Sequence, residues 1–135
     1  MINEKMLLEA AVDARKNAYV PYSHFKVGAA LLLKNGRIIT GCNVENASYG
    51  LSMCGERNAM FKAYTEGYRK EDIVALAIAA DTLGPVSPCG ACRQVMAELL
   101  ALDTKVYLTN LKGDLKIMTV DELIPYIFDE SSLKK

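Results

Sequence analysis

An excess of charge of either sign is missing from this chain of 135 residues: 16 Lys and Arg balance 16 Asp and Glu. A balanced surface offers no basic field to gather phosphate backbones, so a long nucleic acid is not an expected partner. Apolar runs stay short, so no segment approaches the ~20 residues of a membrane span, and the first residues lack the charged start and apolar core of a signal peptide. The expected location is cytoplasmic, with no membrane partner. Cysteine is scarce, at four residues, and in a reducing compartment such thiols read as metal ligands or catalytic groups rather than disulfides. Histidine is scarcer: His24 is the only one, standing beside the turn residues Pro21, Tyr22 and Ser23. An exposed or locally bonded imidazole is expected there, with zinc ligation as the alternative. Repeats, low-complexity runs and linkers are absent too, and the length suits one domain over residues 1–135.

What is present alternates between helical and strand patterning. Met6, Leu7, Ala10, Ala11, Ala14 and Ala18 recur at the spacing of one helix face, and Pro21 closes the segment. Residues 27–33 and 37–44 are rich in apolar and β-branched side chains. They flank Lys34-Asn35-Gly36, where Asn-Gly supplies the positive φ angles of a tight turn, so a hairpin is predicted. Residues 44–53 show no sustained period and read as a loop crossing the end of the sheet. A second helix is expected from Cys54 to about Glu66, stopped by Gly67. Residues 73–80 are apolar throughout, the pattern of a central strand covered on both faces. Pro88 and Cys89 open a further helix to about Leu102, and short strands follow at 106–109 and 115–118 before a helical turn at 121–124. The predicted fold class is α/β: a three-layer α/β/α sandwich with a mixed five-stranded sheet.

Two pieces of the chain carry chemistry. Cys54-Gly55-Glu56 and Pro88-Cys89-Gly90-Ala91-Cys92 offer three thiolates and one nearby carboxylate. A zinc ion with three protein ligands keeps a fourth position for water, which points to hydrolysis. Cys89 and Cys92 are three residues apart and project from nearly one helix face, whereas Cys54 must come from elsewhere in space. Both segments lie at predicted helix starts, whose dipoles and free N–H groups favour ionised sulfur. Three thiolates leave a zinc site at a formal charge of minus one, so a positive neighbour is needed. Arg57 is the candidate, hydrogen-bonding to thiolate sulfur from outside the ligand set. Cys42, inside a strand pattern, reads as a core residue, with a closed four-cysteine structural site as the alternative. Glu56 and Cys54, two residues apart, reach one metal only if Cys54 sits at a non-helical start. A glutamate in a helix's first turn needs no catalytic purpose, but beside a zinc-bound water it can act as a proton carrier.

The ligand-x-Glu and P-C-x-x-C spacing matches the zinc nucleobase deaminases, with cysteine as first ligand. The chain resembles, more narrowly, the small homotetrameric zinc-dependent cytidine deaminases of pyrimidine salvage. The likeness runs through Pro21-Tyr22-Ser23, Phe25-Lys26-Val27-Gly28-Ala29-Ala30, residues 41–49, Cys54-Gly55-Glu56-Arg57 and residues 88–94. It implies Zn²⁺ held by Cys54, Cys89 and Cys92, with Glu56 as the catalytic proton shuttle. It also implies a small-molecule pyrimidine nucleoside as substrate, with Asn43 and Glu45 on the ribose hydroxyls and Phe25 stacked on the base. The segment Asn43, Val44, Glu45, Asn46, Ala47, Ser48 and Tyr49 becomes the substrate wall. Phe128 matches the tail aromatic that closes over the pocket in a homotetramer with shared active sites, although Tyr126-Ile127 precede it where the family has Gly-Ala. The implied reaction is deamination of cytidine and 2′-deoxycytidine. Another aminated pyrimidine nucleoside, such as a nucleoside antibiotic, or a non-catalytic zinc-binding module are the alternatives.

Overall fold

In the computed structural model, which describes residues 3–133, the first helix, α1 (Glu4–Ala14), starts where the Asn3 side chain accepts from the Met6 N–H at 3.1 Å. The predicted hairpin forms from β1 (Val27–Leu33) and β2 (Ile38–Cys42), with Gly36 at φ 88° in the turn. Helix α2 (Gly55–Thr65) precedes β3 (Ile73–Ala80); α3 (Gly90–Leu99) then crosses over to β4 (Lys105–Asn110). Strand β5 (Leu115–Thr119) and the short α4 (Val120–Leu123) complete the described elements. The strands form one mixed sheet in the order β2-β1-β3-β4-β5, parallel only between β3 and β4.

The period-two alternation of β3 divides the two cores. Leu76, Ile78 and Ala80 pack with Ala59 and Met60 of α2 and with Met96 of α3. Ala75, Ala77 and Ala79 face Leu7 and Ala11 of α1. The small side chains on that second face let α1 come close: a Cβ on Gly28 would lie 2.0 Å from the Ala11 carbonyl oxygen. Gly41 plays the same part under α2, where a Cβ would lie 2.5 Å from both Ala59 N and the Gly55 carbonyl oxygen.

Three elements end or begin two residues or more from the sequence reading. Helix α1 ends at Ala14 and tightens into a 3₁₀ turn at Arg15–Asn17, leaving Ala18 extended. Strand β2 stops at Cys42 because Asn43 turns its amide onto the start of β1, and Val44 instead exchanges backbone hydrogen bonds with Met53. Helix α3 begins at Gly90 rather than Pro88 and ends at Leu99, after which Leu100 is extended and buried.

Register places the site. Gly28 pairs with Cys42 and Val27 with Ala80, so the start of β1 and the ends of β2 and β3 share one edge of the sheet. The segments leaving that edge lead into α2 and α3.

Candidate active site

Both helices reach this edge with a cysteine at the N-cap. Cys54 has φ −72° and ψ 152°, and Cys89 has φ −70° and ψ 163°, so each residue is extended and outside its helix. That backbone resolves the facing problem: Cys54 lies before the helix and Glu56 in its first turn, and both line one cavity. Cys92, one turn into α3, is fully buried.

The Sγ atoms of Cys54, Cys89 and Cys92 lie within 4.8 Å of one another, with Cys54 to Cys89 at 3.8 Å and Cys89 to Cys92 at 3.3 Å. Zinc–sulfur bonds of 2.3 Å in a tetrahedron put sulfurs about 3.8 Å apart, so the three residues fit a zinc ion. Electrostatics agree. The Cys92 thiol beside it brings the Cys54 pKa down to about 5, helped by Arg57, while Cys92 itself is pushed up by its hydrogen bond to Cys54 and by burial. One sulfur ionises at its neighbour's expense; a dication removes that conflict. Arg57 donates to Cys54 Sγ at 3.2 Å, and its Nε is buried with no hydrogen-bond partner among the described residues, a donor suited to a more strongly ionised sulfur set.

Cys42 lies outside this cluster and is only half-buried, with its thiol pKa raised by burial. The closed four-cysteine alternative is therefore not formed. His24 is exposed, at φ 58°, and also outside the cluster, which removes it as a ligand.

Glu56 is 4% exposed. Burial, then the charge of Cys54, pushes its pKa above the usual carboxylate range, so it holds a proton more readily than a surface acid. It shares a cavity of about 180 Å³ with Phe25, Val27, Asn43, Cys54, Val86, Ser87 and Cys89. Asn43 Oδ1 accepts from Val27 N–H at 2.9 Å and its Nδ2 donates to the Phe25 carbonyl at 2.7 Å, leaving one donor and one acceptor direction free.

A more open hollow of about 380 Å³ is lined by Tyr22, Ser23, Glu45, Tyr49 and Ser52. Glu45 is held by its own chain: Oε1 accepts from Tyr22 N–H and Ser23 N–H, both at 3.1 Å, and Oε2 accepts from the Ser23 hydroxyl. These donors, the Ser23 hydroxyl first, keep its pKa below the ordinary value. Of the segment 43–49, only Asn43, Glu45 and Tyr49 line either space; Val44, Asn46, Ala47 and Ser48 carry the backbone between them. Phe128 is 59% exposed and lines neither, although its carbonyl accepts from Gln94 Nε2 at 2.8 Å.

Val27, Val86 and Ser87 join the cavity without having been singled out in the sequence. Asn110, buried at the end of β4, donates through Nδ2 to the carbonyls of Thr82 and Gly84, and Val86 N–H donates to Thr109. Arg93 then grips the Ser87 hydroxyl and the carbonyls of Pro88 and Leu123. The one local signal was position, since Val86 and Ser87 immediately precede Pro88-Cys89.

Three clustered cysteines and a buried carboxyl at paired helix starts, on the open edge of a mixed α/β/α sandwich, define a zinc-dependent hydrolytic site. The chain belongs to the family described as the cytidine and deoxycytidylate deaminase zinc-binding region, matched over residues 1–109. It is similar to a cytidine deaminase of Halalkalibacterium halodurans, at 61% identity over 94% of this chain and 95% of that protein. A cytidine deaminase of Sporosarcina psychrophila is 54% identical over 96% of this chain and 93% of that one. The crystal structure of a cytidine deaminase from Burkholderia pseudomallei superposes with a TM-score of 0.92, at 50% identity over 94% of this chain and all of that one. Among the described residues no helix is long and apolar enough to cross a membrane.

Proposed function

We propose that this chain catalyses the hydrolytic deamination of cytidine and 2′-deoxycytidine to uridine and 2′-deoxyuridine, releasing ammonia. The observation that carries this reading is the cavity itself, where a buried glutamic acid and two of three clustered cysteines meet an aromatic ring and an amide. The high identity to cytidine deaminases over nearly the whole chain supports the choice of substrate.

Zinc on Cys54, Cys89 and Cys92 would lower the pKa of a water molecule and hold it as the nucleophile. Glu56 takes a proton from the attacking water and delivers it to N3 of the ring as the C4–O bond forms; it then takes the proton of the new C4 hydroxyl and gives it to the amine, which departs as ammonia as the C4–N bond breaks and the C4 carbonyl forms. Burial raises its pKa, the direction that makes a carboxylate a better proton acceptor. Arg57 draws charge from the Cys54 sulfur, which keeps a three-thiolate site able to acidify water. Phe25 stacks on the base. Asn43 and Glu45 take ribose hydroxyls, Glu45 through the single acceptor direction its own chain leaves free, and its charge disfavours a phosphate. The backbone of residues 43–49 forms the sugar-side wall.

Tyr22, Tyr49, Leu51 and Phe128 are exposed apolar side chains, and such surface suits burial against further copies of the chain. We infer a homotetramer acting in the cytoplasm, with Phe128 closing a pocket shared between chains, and with neither nucleic acid nor membrane as partner. Ultraviolet absorbance with cytidine, deoxycytidine, cytosine and cytidine monophosphate offered in parallel tests the reaction: the two nucleosides should be consumed and the other two should not. Turnover of none of them would overturn the reading. An active monomer in sedimentation would overturn the shared pocket.

A further inference from the structure

The turn that carries Phe25 into the cavity is not held by its own backbone alone. Val20 is buried, and the His24 N–H donates to its carbonyl at 3.0 Å, closing residues 20–24 into a turn. His24 sits at φ 58°, a left-handed conformation that side-chain-bearing residues seldom adopt. In that conformation the chain passes from Ser23, which lines the Glu45 hollow, to Phe25, which lines the metal cavity. The contacts that keep it converge on one atom: Ser23 Oγ accepts from the Phe25 N–H at 3.0 Å and donates to Glu45 Oε2. The Tyr22 and Ser23 N–H groups complete an anion-binding nest around the same carboxylate.

We propose that Ser23 is a positioning residue for nucleoside recognition, its hydroxyl locking the sugar-side carboxylate of Glu45 and the base-side ring of Phe25 into one unit. This rests on the reading of Glu45 and Phe25 as sugar and base contacts. A serine with only a local turn role would serve one neighbour. Here the single hydroxyl spends its donor on one contact and an acceptor on the backbone of the other, so losing it frees both. The turn then relaxes away from its left-handed geometry, and ring and carboxylate lose their common frame. The bound nucleoside must restore that frame from its own binding energy, which raises KM and leaves the proton transfers at Glu56 unchanged.

The test is the kinetics of the zinc-loaded full chain carrying Ser23→Ala, measured in the wild-type, Glu45→Ala and Phe25→Leu backgrounds, with Ser23→Thr as the restoring variant. Ser23→Ala should raise KM for cytidine about tenfold, with kcat within about twofold and zinc content unchanged. In either background the effect should shrink to about threefold, because one of the two partners it positions is already gone. Ser23→Thr, which keeps the hydroxyl, should return KM to within about threefold of wild type. An undiminished effect in the Phe25→Leu background would overturn the proposal, since Ser23 would then serve the carboxylate alone. So would a loss appearing in kcat or zinc content, or a threonine that restores nothing. Wild-type protein inactive on cytidine would overturn the functional reading itself, and this one with it.

Discussion

Glu56 and Glu45, the two carboxylates that the proposed function sets along one substrate path, are placed by different means. Glu56 is almost wholly buried, in the first turn of a helix seated on the sheet through Gly41, and burial raises its pKa. Glu45 lies on an irregular segment beside solvent, and three donors from the adjacent turn lower its pKa. The metal end thus takes its geometry from packing, which tolerates little movement. The sugar end takes its geometry from polar contacts that are individually weak and open to competition from water. The proposed function puts proton transfer between fixed atoms at the rigid end, and recognition of a flexible sugar at the adaptable one.

The largest effect should follow from breaking the metal end. Removing the ion with a chelator, or replacing Cys92 with alanine, should abolish deamination, with restored zinc rescuing the chelated wild type and not the variant. Arg57→Ala should come next: by the usual worth of a hydrogen-bonded partner to a ligand, zinc affinity and turnover should fall about 10- to 100-fold, read by metal competition and by rate. The contrast in packing is sharpened by two glycines. Gly41→Ala drives a Cβ into the backbone of α2 and should cost about 1–3 kcal/mol, seen as a lowered Tm. Gly50→Ala, at the sugar end, meets nothing within 4 Å and should stay within about 0.5 kcal/mol of wild type. The smallest effect concerns pH. The folded pKa of Glu45 lies below its ordinary 4.5, so its contacts are fully present above that value and are lost as pH falls through the lower folded value. KM for cytidine should rise only in that acid window, and at a higher pH in Ser23→Ala.

The same contrast explains what could be read from the sequence. Cys89 and Cys92 are linked by covalent spacing, and Glu56 follows Cys54 by two residues, so the metal end was legible once helix starts were placed beside it. The sheet was equally legible, because the apolar runs of β1 and β3 mark strands that are covered. The wrapping of residues 20–24 around Glu45 left no such trace. It depends on segments 22 residues apart meeting through backbone N–H groups, which every residue but proline carries. Val86 and Ser87 were hidden for a similar reason, since side-chain contacts from Asn110 on β4 and Arg93 on α3 hold their loop. The early end of β2 turned on Asn43, whose side-chain oxygen takes the Val27 N–H while its own carbonyl accepts from Tyr19 N–H.

The division of labour between the two ends rests on Glu56 as the proton carrier, and Glu56→Gln tests it most directly, with zinc content and cytidine turnover measured on one sample. The expected result is wild-type zinc with turnover lowered about 100- to 10,000-fold. Near-native turnover, or loss of zinc along with activity, would contradict it.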